Sequence, residues 1–233
     1  MITNDVLGDA VRNNAEWCQA MCHAHGLTGT FAPRAWTSGR RTPLYYPDAV
    51  TLTDDAGVED VLPGIDRTTP GASVKDSFAR LDLAAEGFRL LFEAQWIHRP
   101  AGPSDLPPTA GRRRVGTPEE LAAWALAWSD GDADEAALFR PALLDDPATV
   151  VVGGYAADGR ILGGAVLSVG DRVTGVSNLF TTGDTDPSYA WSAALAAAPA
   201  DRPVVGYESG DDLTAALAAG FTATGPLRVW LDA

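Results

Sequence analysis

Glu208 is the residue best placed to do chemistry. It ends the apolar run PVVGYE, directly after Tyr207, and so stands at the carboxyl end of a short buried strand. A glutamate that is partly buried there has a raised pKa and serves as a general base near neutral pH. Left exposed, the same residue is only the end of a strand, and both readings stand. Asp211 and Asp212 follow at once and read as caps of the next helix. His98, two residues before Pro100, offers acid–base chemistry or simple exposure at a strand end. Cys18, Cys22 and His25 share one helix face at i, i+4 and i+7, with His23 adjacent. Thiolates and imidazole suit zinc, but no second ligand pair exists, and two small cysteines also pack a core. Arg112, Arg113 and Arg114 form a clamp for an anion or a solvated connector.

Bulk properties narrow the partners. The chain has 233 residues, a net charge of −14 and a single lysine, Lys75. Phosphate backbones are bound by neutralising them with Lys and Arg, so nucleic acid and anionic membrane surfaces are excluded as partners. No run approaches the ~20 apolar residues needed to span a bilayer. The opening MITNDVLGDA has neither a charged n-region nor an apolar h-region, and two cysteines make no secreted disulfide framework. The expectation is a cytoplasmic protein acting on a small molecule, its oligomeric state open.

The elements that must position these groups follow from turn and cap signals. Thr3, Asn4 and Asp5 offer N-caps for a helix through His25, stopped by Gly26. Leu27 to Pro47 reads as a long loop plugged by Trp36, Tyr45 and Tyr46. A strand over Asp48–Thr53 and a short helix over Val58–Ile65 come next. A long strand spans Phe88–His98, with Phe88, Leu90, Phe92, Ala94, Trp96 and His98 on one side. Ala101–Arg114 is the best linker, rich in Pro and Gly early on, and suggests domains at 1–110 and 111–233. Thr117-Pro118-Glu119-Glu120 starts a helix carrying Trp124 and Trp128, and Asp134–Leu144 holds a second helix or turn. Between Thr149 and Phe180 three β-rich runs are separated by Asp158-Gly159 and Gly170-Asp171, which predicts an antiparallel meander. Asp186-Pro187 opens a helix to Ala198, Pro203–Glu208 is a strand, Asp211–Ala219 a helix, and Phe221–Leu231 a bent hairpin.

This order, from about Val115 onward, resembles the GNAT-type N-acyltransferase fold. The resemblance is carried by Gly163-Gly164-Ala165-Val166, by the central strand Gly175–Phe180, and by Ala219-Gly220-Phe221 before the final strand Leu227–Trp230. It implies an α+β fold: a GNAT-like mixed, mostly antiparallel sheet flanked by helices. The N-terminal α+β half, with its own strands and helix, is a candidate degenerate second unit of the same kind.

The resemblance further implies transfer of an acyl group from acetyl-CoA or another acyl-CoA to a small amine or amino-acid-like metabolite. The pantetheine arm would lie where the central strand and Val204–Glu208 splay apart, along Leu179, Phe180 and Thr181. Ser177 and Asn178 would face the substrate, with Glu208 and Tyr207 as the catalytic pair. Trp96, His98 and Tyr45 would complete the substrate side. The loop Thr181-Thr182-Gly183-Asp184-Thr185-Asp186-Pro187 departs from the family's pyrophosphate loop. Asp186 as N-cap occupies amides a phosphate would use, Pro187 removes one, and Asp184 adds negative charge. The alternative is the same fold without CoA-dependent activity, turned to another reaction on a small metabolite or to binding alone.

Overall fold

The computed structural model describes residues 4–104, 106 and 111–232. In chain order the elements are α1 (Asn4–Ala24), β1 (Thr30–Phe31), β2 (Ala35–Thr37), β3 (Ala49–Thr51), α2 (Val58–Val61), β4 (Ser73–Asp76), β5 (Phe88–Arg99) and β6 (Arg113–Arg114). They continue with α3 (Pro118–Trp128), α4 (Ala133–Ala136), β7 (Thr149–Tyr155), β8 (Ile161–Val169), β9 (Thr174–Thr181), α5 (Pro187–Ala197), β10 (Val204–Glu208), α6 (Gly210–Ala218) and β11 (Thr222–Asp232). Two compact units divide the chain. One holds Met1–Trp96 together with Thr224–Ala233, the other Ile97–Ala223. The division therefore falls inside β5 and β11, where the sequence places it near residue 110. Thr3, read as a cap, lies outside the described residues.

The second unit is built on the meander. β7 pairs antiparallel with β8, and β8 with β9. The first turn uses its glycine as the dipeptide dictates, while the second closes around Asp171-Arg172 with Gly170 outside the left-handed region. Gly159 takes φ +86° and Asp158 receives the Arg160 amide at 3.0 Å, while the Gly170 amide donates to the Val173 carbonyl at 3.0 Å. β9 then crosses through α5 to β10, which lies parallel to it. On the opposite edge β6 adds antiparallel to β7. Thr117 caps α3 by accepting the Glu120 amide at 3.2 Å, and Glu120 reaches back to the Gly116 amide at 2.8 Å. Trp124 on that helix donates to the Val152 carbonyl at 2.9 Å and meets Phe139 and Phe180 edge-on at 4.9 and 5.2 Å. Gly164 makes room for this indole: a Cβ there would overlap the Trp124 ring and stand 2.5 Å from the Val152 carbonyl oxygen. The core proper gathers Leu167, Val176, Trp191, Val204 and Phe221.

The first unit repeats the grammar in shorter strokes. β2 pairs antiparallel with β3, and β3 crosses through α2 to β4, which lies parallel to it. β1 extends the far edge, and β11 closes the near one, antiparallel to β4 with Arg228 opposite Asp76. Ala35, Ala49, Val74, Leu83 and Trp230 form its core. An antiparallel pair followed by a parallel crossover is thus present in both units.

Three sequence expectations for this unit change. Leu27–Pro47 is not a plain loop, because β1 and β2 lie within it. Buried Asp48 ties its end down by accepting the Thr42 and Ser73 amides and pairing with Arg41 at 2.8 Å. In β5 the alternation fails from Arg89 to Glu93, all exposed, because neither face there is covered. Leu90, Leu91 and Phe92 are 42%, 45% and 39% exposed. The terminal hairpin is instead one continuous strand, β11. Its pairing with β4 begins only at Arg228, so Pro226 interrupts no ladder bond with β4 and Gly225-Pro226 needs no turn.

Candidate functional site in the second unit

The site is built where two parallel strands part. β10 and β9 are in register at Val204↔Thr174 and Val205↔Gly175 only, although β9 continues to Thr181 and β10 to Glu208. Gly206 sits at the fork. A Cβ there would lie 3.1 Å from the Val176 carbonyl oxygen and 3.7 Å from the Ile97 side chain. A second irregularity lies on the other edge of β9. Register between β8 and β9 shifts between Gly164↔Phe180 and Val166↔Ser177, so β9 carries one extra residue opposite Ala165. Asn178 lies in that bulge with φ +52°, a left-handed conformation that non-glycine residues adopt rarely and Asn more readily than most.

Glu208 is half-buried at the end of β10. Burial pushes its carboxyl up, the negative charge of Asp212 adds to the effect, and together they bring its pKa to about 8. Asp212 stands in the first turn of α6, where Ser209 occupies the N-cap position without a side-chain hydrogen bond. Sequence reasoning read Asp212 only as a cap. The four-residue spacing from Glu208 was the available signal for its electrostatic part. Tyr207 precedes Glu208 on the strand and therefore faces the other side of the sheet.

The other expected residues are distributed as follows. Ser177 and Asn178 stand half-buried on β9 beyond the last paired residue. Leu179 packs on the unit's core and Phe180 turns its ring to Trp124, so two of the three expected donor residues give their side chains to packing. Thr181 pairs with Gly163. His98 is buried and neutral, since burial lowers its pKa, and its Nδ1 has no hydrogen-bond partner among the described residues. Trp96 and Tyr45 belong to the first unit. Trp96 is 1% exposed with its indole donating to the Ser77 carbonyl at 2.8 Å, and Tyr45 is 62% exposed on a loop.

The loop after β9 leads into a capped helix. The Asp186 carboxylate receives the Ser188 amide at 2.8 Å, and the Asp186 carbonyl receives the Tyr189 amide at 2.9 Å. Pro187 at the first helical position has no amide proton to offer. The cap holds the Asp186 carboxyl below the ordinary carboxylate range. Elsewhere, Cys18 and Cys22 are buried thiols, the latter pushed up to about 12 by burial. No group of three or more metal-ligating side chains occurs among the described residues. Arg113 stacks on Tyr155 at 3.9 Å, and Arg114 donates to the Thr149 carbonyl at 3.4 Å. No described helix is long and apolar enough to cross a membrane.

No family model matches the chain, and no curated protein sequence matches it either. Solved structures do. A GCN5-related N-acetyltransferase from Kribbella flavida superposes with TM-score 0.61 at 16% identity, covering 96% of this chain and 95% of that one. A Novosphingobium aromaticivorans protein placed among the GNAT-family acetyltransferases gives 0.51 at 13% identity, with 92% and 94% covered. A Drosophila protein gives 0.52 at 15% identity, with 94% and 88% covered. These superpositions over nearly the whole length show that the chain has the fold of the GCN5-related N-acetyltransferases.

Proposed function

We propose that the protein is an N-acyltransferase that acylates a small amine or amino-acid-like metabolite at the fork of β9 and β10, with Glu208 as general base. The observation that carries this reading is the position and basicity of Glu208. A carboxylate of pKa about 8 is matched to taking a proton from an amine near neutral pH. Ser177 and Asn178, on the facing strand past the last paired residue, orient the nucleophile. The net charge of −14 favours encounter with a cationic substrate.

The fold implies an acyl-CoA donor, and the fit of that donor is uneven. The β10-facing edge of β9 beyond Gly175 has no ladder partner from β10 and is open to a pantetheine arm. The N-terminus of α5 is not open to a pyrophosphate. Its first position is proline, the next two amides are taken by Asp186, and Asp184 adds a carboxylate nearby. Such a donor supplies an electrophilic acyl carbon. This chain's own residues bind the amine and take its proton. The reading therefore includes an atypical donor pose in which the nucleotide end contributes little.

The test is calorimetric titration with acetyl-CoA and with S-acetyl-pantetheine. Both should bind within about threefold of one another, and a ligand at 100 times its Kd should add about 2.7 kcal/mol of stability. Acetyl-CoA binding more than about a hundredfold tighter would refute the pose. Binding of neither would refute acyl transfer and leave the fold serving another small-metabolite reaction or binding alone.

A further inference from the structure

The first unit holds a cavity of about 410 Å³ at the carboxyl ends of its own two parallel strands, β3 and β4. Crevices at that end of parallel strands are where open sheets take small ligands, and the volume is that of a small-molecule site. Leu7, Leu52 and Phe78 supply apolar wall, and two charged residues of opposite sign, Asp54 and Arg80, line the same space. Among the described residues neither charge has a hydrogen-bond or ion-pair partner. Both stand exposed at the mouth of the cavity, free to meet a ligand.

The loop that presents Phe78 and Arg80 is held in an uncommon shape. Ala79 has φ +53°, a left-handed conformation that costs an alanine energy. Buried Asp76 enforces it, accepting the Leu81 amide at 2.8 Å and the Phe78 amide at 3.3 Å. The buried Asp76 carboxylate thus fixes the backbone that carries Arg80 at the edge of the cavity.

We propose that this cavity binds a free α-amino acid with an apolar side chain, its carboxylate on Arg80, its ammonium on Asp54 and its side chain against Leu7, Leu52 and Phe78. One charge of each sign selects the zwitterion. A plain amine or a plain acid would engage only one of the two charges and forgo the other contact. Guanidinium and carboxylate match as a bidentate pair. The site lies wholly within the first unit and does not depend on the acyl-transfer reading.

Calorimetric titration of the full chain tests it, with L-leucine and L-phenylalanine as probes and leucinamide and N-acetyl-leucine as controls. At least one free amino acid should bind saturably, and each blocked analogue at least about tenfold more weakly. Arg80→Gln and Asp54→Asn should each weaken binding by about tenfold or more. Gly8 lines the cavity from α1, and a Cβ there meets no atom within 4 Å. Gly8→Leu should therefore fill the space and abolish binding while favouring the helix, so the folded protein remains available for measurement. Glu208→Gln should leave the affinity unchanged. No heat from either amino acid up to about 10 mM would overturn the proposal, as would full affinity in Gly8→Leu or loss of affinity in Glu208→Gln.

Discussion

Glu208 binds a proton in the folded protein that the unfolded chain releases. Its folded pKa of about 8 stands above the ordinary 4.5, so its contribution to stability is complete below pH 4.5 and is lost as the pH rises through 8. The loss is on the order of 5 kcal/mol at most, by the usual 1.36 kcal/mol per pKa unit. Glu208→Gln removes this dependence. The variant should gain stability relative to the native protein between pH 5 and pH 9, measured by urea denaturation at both. Its turnover should fall by about a hundredfold or more. If the proposed acyl transfer holds, kcat/KM of the native protein should rise about tenfold per pH unit up to about pH 8 and level off above it. A profile flat from pH 6 to 9 would remove Glu208 from the mechanism. The position of this glutamate was legible from the run that ends in it. Its basicity was not, because that depends on burial and on Asp212 folding back beside it.

At the scale of elements, what could be read was what is encoded locally. The meander follows from Asp158-Gly159 and Gly170-Asp171, and α3 and α5 follow from Thr117 and Asp186, each of which accepts an amide of its own helix. Thr117→Ala should cost about 1 kcal/mol in thermal or denaturant unfolding. What could not be read depends on a distant partner. The bulge at Asn178 exists only in register with β8, and β1, β2 and β4 are too short to declare themselves by periodicity. The bent hairpin expected over Phe221–Leu231 fails for the same reason: the chain runs on as one strand, and pairing with β4 is what holds its second half. Gly164 looked like part of a family signature, and its physical reason is the Trp124 indole lying against it. Gly164→Ala should destabilise by on the order of 2 kcal/mol through overpacking, read from the same unfolding curves.

For the molecule as a whole, the same sequence of an antiparallel pair, a crossover and a parallel strand occurs twice, and the likeness to solved GNAT-fold structures covers nearly the full chain. The expected N-terminal unit of similar kind is consistent with this topology, though no residue pattern announces it. The boundary near 110 was inferred from proline and glycine content. Compactness follows hydrogen-bonded pairing instead, which assigns Thr224–Ala233 to the first unit. A chain ending at Ala223 should therefore lose amide protection throughout β3 and β4 while keeping it in β7, β8 and β9, as hydrogen exchange would show.

That late-arriving strand also sets a schedule. During synthesis the first ninety or so residues emerge from the ribosome with Val74 and Leu83 but without Trp230, their partner in the core. They must wait, with β4 lacking its neighbour, until β11 has been translated. Nascent chains stalled before residue 224 should be caught by chaperones or by one another, and slowing translation of the second half should lower the yield of native protein.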